Sequence, residues 1–354
     1  MLTILTNNIE QLRERSGTGS TNQPELRQKL IVELIQKQLK NYQIIVISEV
    51  VCEKWLENIH DVEYLYFLKN AYCSLNDIQD THWTDWTGGL VPNHFYKTKP
   101  KNQIPLYKLS GYYGSDCMSP IFEDTYHNSV ISAQQAFSAA EILSEFDQTQ
   151  NLDSNVIYVL TCSPGHHAKS NEYGGYCYIN NVIVTGYRLI ELGKKKIGIL
   201  DIDTHAGNGT AEIINNNPKL KNNMVFCSIH CDPVLEYPSF EGYDDDYNNG
   251  NIKNVIMHPN SDINEYQKVL SNACEYLKNN DIEVLIISFG ADTYKDDPDT
   301  SPLSKLNIDI DDYDIMGKTI KSSLPEIPII VVQEGGYNMD KVAEIAYRFL
   351  RNLV

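Results

Sequence analysis

Basic charge is what this sequence has too little of: 29 Lys and Arg stand against 47 Asp and Glu, a formal net charge of −18. A nucleic-acid binder needs the opposite sign to neutralise phosphates, so nucleic acid is set aside as a partner. An acidic surface suits cationic partners and also serves solubility. Long apolar runs are missing as well, and no segment reads as spanning a membrane. The start, Met1-Leu2-Thr3-Ile4-Leu5-Thr6-Asn7-Asn8, lacks the basic residues and the extended apolar core of a secretory signal. Cys-x-x-Cys pairs are absent. The eight cysteines, at 52, 73, 117, 162, 177, 227, 231 and 274, are scattered, and Cys162 and Cys227 sit inside apolar runs. They read as buried free thiols in a reducing compartment, and the chain is expected to be cytoplasmic. There is no internal repeat and no dividing linker, so residues 1–354 are read as one domain.

What is present is an alternation of strand and helix patterns. Residues 24–40 have helical spacing, with Leu26, Leu30, Leu34 and Ile35 on one side. A short apolar run at 44–47 reads as a strand, and 61–72 as a second helix. From 76 to 111 the pattern breaks down into a segment with Trp83, Trp86, Phe95, Tyr96, Gly88-Gly89 and three prolines. That is too long for a plain connector and too aromatic for disorder. Residues 129–146 read as an Ala- and Ser-rich helix. Strands are then expected at 156–160, 197–201, 224–230, 252–257, 284–289 and 327–332. Helices are expected at 180–192, near 211, and at 262–279, 310–322 and 340–353, and 241–251 reads as an acidic loop. This order predicts an α/β fold, one mostly parallel central sheet with helices on both faces.

The most informative stretch runs from Ile197 to Gly209. An apolar strand gives way to Asp201-Ile202-Asp203-Thr204-His205, followed by Gly207 and Gly209, with Thr210 as a candidate cap for the next helix. Period-two alternation puts Asp201, Asp203 and His205 on one face near the strand's carboxyl end, where open α/β sheets bind ligands. Single Asp residues there cap turns. Two carboxylates and an imidazole on one face suit a metal such as Zn²⁺. Three other strand ends carry chemistry: His166-His167, Gly290-Ala291-Asp292 and Gly335-Gly336-Tyr337. In a parallel sheet all four converge on one edge.

Together these pieces identify a resemblance. Pro164-Gly165-His166-His167, Gly174-Gly175-Tyr176-Cys177-Tyr178-Ile179-Asn180-Asn181, Asp201-Ile202-Asp203-Thr204-His205, Gly207-Asn208-Gly209-Thr210, Gly290-Ala291-Asp292 and Glu334-Gly335-Gly336-Tyr337 occur in order across nearly the whole chain. His60-Asp61 with Tyr64-Leu65, and Gly111-Tyr112-Tyr113 with Ser119-Pro120-Ile121, match more weakly. The chain resembles the zinc-dependent histone deacetylase superfamily, and within it the bacterial acetylpolyamine amidohydrolases.

The resemblance implies the arginase–deacetylase fold and one Zn²⁺ per chain held by Asp203, His205 and Asp292, with the remaining position open to water and the substrate carbonyl. That matches the chemistry of catalytic zinc, three protein ligands and an open position. It implies His167 as proton carrier, His166 as the electrostatic member of the pair and Tyr337 as donor to the oxyanion. Asp201 would orient His166, and Asn208 would orient His167. Because Asn208 replaces the Asp of many members, His167 is expected to be less basic than theirs. A structural K⁺ would lie near the carbonyls of Asp201, Asp203 and His205 and the Ser228 hydroxyl. Gly175, Tyr176 and Tyr237 would form tunnel walls, Asp116 the rim, and Asp299 an acidic gatekeeper facing the tunnel. The 76–111 insertion would form a homodimer contact that also shapes the tunnel mouth.

The implied activity is acetyl removal from small cationic amines, acetylpolyamines foremost. The alternative substrate is acetyl-lysine in a protein or peptide. An arginase-like site with two Mn²⁺ needs a further Asp two residues after the last metal Asp, and Tyr294 stands there. A catalytically inactive binding module would have lost a ligand, the catalytic His or the Tyr, and none is missing.

Overall fold

The computed structural model describes residues 1–7, 24–47, 49–75, 81–149, 156–247 and 250–354. Its frame is one sheet of eight parallel strands: β1 (Leu2–Thr6), β2 (Tyr42–Val46), β3 (Val156–Val159), β4 (Ile197–Asp201), β5 (Met224–Cys231), β6 (Ile252–Met257), β7 (Val284–Phe289) and β8 (Ile329–Gln333). Their order is β2-β1-β3-β8-β7-β4-β5-β6. Parallel strands covered on both faces favour apolar residues at nearly every position, which is why β3 reads as an unbroken apolar run and β7 and β8 depart from one only at Ser288 and Gln333. On β7, Leu285, Ile287 and Phe289 enter one core and Val284 and Ile286 the other. The first core is closed by helices Pro24–Gln38, Ile263–Lys278, Asp312–Ser323 and Val342–Leu350. The second is closed by Thr125–Thr149, Asn181–Glu191, Asn208–Asn216 and Pro218–Asn223.

Most expected elements lie within a few residues of their positions. Helix 61–72 is Val62–Asn70, with Asp61 as its N-cap accepting from Glu63 and Tyr64 N–H. Helix 262–279 is Ile263–Lys278, capped in the same way by Asp262. Three features differ. The N-terminal residues are an interior strand, β1, paired with both β2 and β3 and wholly buried. Its sequence, Leu2-Thr3-Ile4-Leu5-Thr6, is interrupted by threonines and lacks the continuous apolar run that marks β3. Pro218–Asn223 is a short extra helix. Thr210 is not a helix cap: the helix starts at Asn208, and the Thr210 hydroxyl instead accepts from Asn180 Nδ2 (3.1 Å). Of the cysteines, Cys73 and Cys117 are exposed rather than buried, and all eight are free.

Strand order positions the site. The chain runs outward from β4 through β5 to β6, then returns to insert β7 on the other side of β4. The crevice at that reversal lies between the carboxyl ends of β4 and β7, flanked by β8 and β3. Among the described residues no helix is long and apolar enough to cross a membrane.

The insertion is described from residue 81; its residues 76–80 lie outside the described part of the chain. It folds back on itself through the bridge Thr84–Leu90, and Leu90 also bridges to Ile121 beyond it. Trp83 is buried against His94 and Tyr107, whereas Trp86 and Phe95 are exposed.

Candidate active site

The loop after β3 carries the tandem histidines, and a set of buried side chains holds its backbone. Glu334, following β8, accepts from the N–H groups of Gly165 (2.6 Å) and His166 (3.2 Å). Asn180 donates to the Ala168 carbonyl (3.1 Å). His60 donates from Nδ1 to the Lys169 carbonyl (2.9 Å) and accepts the Asn180 N–H at Nε2 (3.1 Å). Burial lowers His60 to about 4, so it stays neutral and can fill both roles.

The two imidazoles lie 4.0 Å apart, centroid to centroid, but meet different partners. His166 Nδ1 faces Asp201 Oδ2 at 3.0 Å. Burial opposes its charge, yet the carboxylates of Asp203 and Asp201 prevail and raise it to about 10. His167 Nδ1 faces the neutral Asn208 Oδ1 at 2.8 Å. Burial, reinforced by His166 and His205, holds His167 well below the ordinary imidazole value. The two rings thus meet unlike partners, a carboxylate and an amide.

The stretch after β4 does not continue as a strand. The strand ends at Asp201, and the chain then curls as each acid accepts from the backbone two residues on. Asp201 Oδ1 takes the Asp203 N–H (3.1 Å), and Asp203 Oδ1 takes the His205 N–H (2.9 Å). Strand alternation is therefore not what gathers these side chains; the curl turns Asp201 to His166 and leaves Asp203 beside His205. Asp292, after β7, joins from across the crevice, and the ligand atoms of Asp203, His205 and Asp292 lie within 4.8 Å of one another. Asp292 Oδ2 is buried with no hydrogen-bond partner. Burial and the neighbouring Asp203 charge push the Asp292 carboxyl up. The two crowded buried carboxylates, one with an orphaned oxygen, face His205 Nδ1, 2.9 Å from Asp203 Oδ1 and 3.5 Å from Asp292 Oδ2, and a nitrogen and two oxygens are donors that Zn²⁺ accepts. Close backbone passage makes the cradle: a Cβ on Gly335 would stand 1.9 Å from Asp292 Oδ2.

A second group of potential ligands, His166, Cys177 and Glu334, is already committed. His166 faces Asp201, Glu334 holds backbone N–H groups, and the Cys177 thiol donates to the Gly175 carbonyl (3.3 Å). Burial pushes that thiol's pKa well up, so it is not a ready thiolate.

Tyr337 stands over the crevice from the loop after β8. Asp297 fixes that loop by accepting from Tyr337 N–H (2.8 Å) and Asn338 N–H (3.1 Å). Burial keeps the Tyr337 hydroxyl protonated, hence a donor. The walls follow. Gly175 and Tyr176 have φ of +54° and +64°, and a Cβ on Gly175 would meet His167 Cδ2 at 2.3 Å. Asp116 Oδ2 accepts the Gly175 N–H (2.7 Å). Tyr237 stands edge-on to His167, centroids 4.8 Å apart, with its hydroxyl 3.1 Å from Ser115 Oγ. The Tyr176 hydroxyl donates to Asp299 Oδ1 (3.3 Å). One cavity is lined by Asp116, Gly175, Tyr176, Tyr237, Asp299, Tyr337, both tandem histidines, Asp203 and His205. Asp201, Asn208 and Asp292 stand behind that lining, and Ser228 pairs with Asp201 on the neighbouring strand.

Sequence reasoning did not single out Glu236, Glu241, Asp297 or Lys169. Glu236 lines the cavity and accepts from Ser301 N–H (2.8 Å) and Ser304 Oγ (2.5 Å). Each lies in a loop whose acids look like ordinary turn residues, and nothing local marks them.

Comparison with known proteins supplies the family. The sequence profile of the histone deacetylase domain matches residues 21–353. The chain belongs to the histone deacetylase family. Within it, the chain is 31% identical over 310 residues to acetylpolyamine amidohydrolase 1 of Pseudomonas aeruginosa, covering 84% of this chain and 81% of that one. It is 29% identical to the acetylpolyamine amidohydrolase of Mycoplana ramosa, covering 80% of this chain and 78% of that one. The crystal structure of acetylpolyamine aminohydrolase from Burkholderia pseudomallei has the same fold, with a TM-score of 0.84 at 23% identity over 99% of this chain and 98% of that one. The arginase–deacetylase architecture expected from the motifs is the architecture observed.

Proposed function

We propose that this chain is a zinc-dependent amidohydrolase that removes acetyl groups from small cationic amines, acetylpolyamines foremost. The observation that carries the reading is a tunnel of aromatic walls and carboxylates. Tyr176 and Tyr237 flank the path, while Asp116, Asp299 and Glu236 line it. A cationic amine gains from that field several ångströms away from its amide. The relatives named as acetylpolyamine amidohydrolases support the same substrate class.

Asp203, His205 and Asp292 would hold one Zn²⁺. Bound there, the metal would polarise the acetamide carbonyl and acidify a water. His167, neutral and oriented by Asn208, takes the water proton and returns it to the departing amine. His166, oriented through its Nδ1 by Asp201, lies beside it as the electrostatic member of the pair. Tyr337 donates to the developing oxyanion. A structural K⁺ beside the carbonyls of Asp201, Asp203 and His205 is supported by Ser228. His230 Nε2 donates to the Gly242 carbonyl (2.8 Å), so its Nδ1 accepts from the Ser228 hydroxyl (2.8 Å), and the Ser228 oxygen, which also accepts the Gly207 N–H (3.4 Å), keeps a lone pair for a cation.

The test compares kcat/KM for acetylputrescine or acetylspermidine with that for an acetyl-lysine peptide, in the parent and in Asp299→Leu. The parent should favour the polyamine, and the substitution should cut that preference about tenfold, about 1.4 kcal/mol. A parent that favours the peptide, with a ratio indifferent to position 299, would make this a lysine deacetylase.

A further inference from the structure

His167 is a base only in one of its two neutral forms. Its Nδ1 lies 2.8 Å from Asn208 Oδ1. With the proton on Nδ1, Nε2 keeps the lone pair that accepts a proton; with the proton on Nε2 it cannot. A carboxylate at position 208 would enforce the first form whichever way it turned, because both of its oxygens accept. An amide does so only if its oxygen faces the ring. Turned over, Asn208 would present an N–H to Nδ1 and select the unproductive tautomer.

The other end of the amide decides its direction. Asn208 Nδ2 donates to Glu241 Oε2 at 2.7 Å. A carboxylate only accepts, so the nitrogen must face Glu241 and the oxygen must face His167. Glu241 is itself pinned, because Lys169 Nζ lies 2.9 Å from its Oε1 and 2.8 Å from Glu172. Lys169 is two residues beyond His167 on the same loop, and burial of its stem leaves its charge intact between the two acids. The line from Lys169 through Glu241 and Asn208 to His167 therefore starts and ends on one loop and crosses the 241–247 loop between.

We propose that Glu241 is a positioning residue for His167: by accepting from the Asn208 amide it sets the tautomer of the base. The assignment rests on His167 being the proton carrier of the proposed deacetylation, although the tautomer is measurable without any turnover.

The experiment uses zinc-loaded, ¹⁵N-histidine-labelled protein. Long-range ¹H–¹⁵N spectra, with the His167 signals assigned through His167→Ala, should show Nδ1 protonated in the parent. Glu241→Leu should move a substantial fraction to the Nε2-protonated form. Turnover of an acetylated amine should fall about tenfold in kcat with KM nearly unchanged, the size typical of outer partners that orient a working side chain. Asn208→Asp removes the amide that needs orienting, so in that background Glu241→Leu should cost less than twofold. An unchanged tautomer in Glu241→Leu would overturn the proposal. So would an equal loss in both backgrounds, which would make Glu241 a plain loop support. A parent with the expected tautomer and no amidase activity would leave the positioning role standing and defeat the proposed function instead.

Discussion

Tyr337 contributes one hydroxyl, and its backbone is held independently by Asp297. Tyr337→Phe should therefore keep fold and zinc while losing about 10²–10³ in kcat, the usual cost of one oxyanion donor. Elemental analysis beside steady-state rates checks both halves. Asp292→Ala acts on the metal itself: three ligands become two, so bound zinc should drop from one equivalent to nearly none, and activity with it. Two equivalents in the parent would contradict the single site. His60 gives a pH signature away from the metal. Its folded value, about 4, lies below the ordinary 6.5, so the unfolded chain takes up the proton first as pH falls. Stability is full above pH 6.5 and is lost as pH drops towards 4, by up to about 3 kcal/mol for this one group. Urea midpoints measured from pH 7 to 5 should fall accordingly, and less steeply in His60→Gln.

At the scale of elements, β1 is an interior strand made of the first residues of the chain. Ile4 is fully buried in the core beneath helix Pro24–Gln38. Ile4→Ala should cost about 2–5 kcal/mol, as buried large-to-small changes do. On the edge strand β2, Val46 is 53% exposed, and Val46→Ala should stay within about 0.5 kcal/mol. Urea denaturation of both variants measures the contrast. The helices were legible from their apolar spacing; their N-caps Asp61 and Asp262 emerged only in the structure. β1 was not, because Thr3 and Thr6 interrupt its apolar residues and the partners β2 and β3 make them a strand.

At the scale of the whole molecule, the insertion bears on assembly. Trp83 packs inside its own subunit, which removes it as a contact, but Trp86 is 74% exposed and Phe95 half-exposed on the same insertion. Exposed aromatics are enriched at interfaces. The parent should scatter light as a dimer and the Trp86→Ser, Phe95→Ser double variant as a monomer. A monomeric parent would end the idea.

By itself the sequence determined the order of most strands and helices, β1 and the short helix Pro218–Asn223 excepted, and it named the chemistry at four strand ends, because apolar runs and short motifs are local signals. His166-His167, Asp203, His205, Asp292 and Tyr337 could all be read from the chain in order. The family resemblance implied Asp201 as the partner of His166; how that pair meets, and which further acids serve the site, only tertiary structure decided. Asp201 meets His166 because the chain curls after β4, and Asp292 meets Asp203 because β7 inserts beside β4. Glu241, in what read as an ordinary acidic loop, reaches Asn208 across 33 residues. A carboxylate's role depends on what lies within hydrogen-bond reach of it, and that distance is set by the packing of segments far apart in sequence.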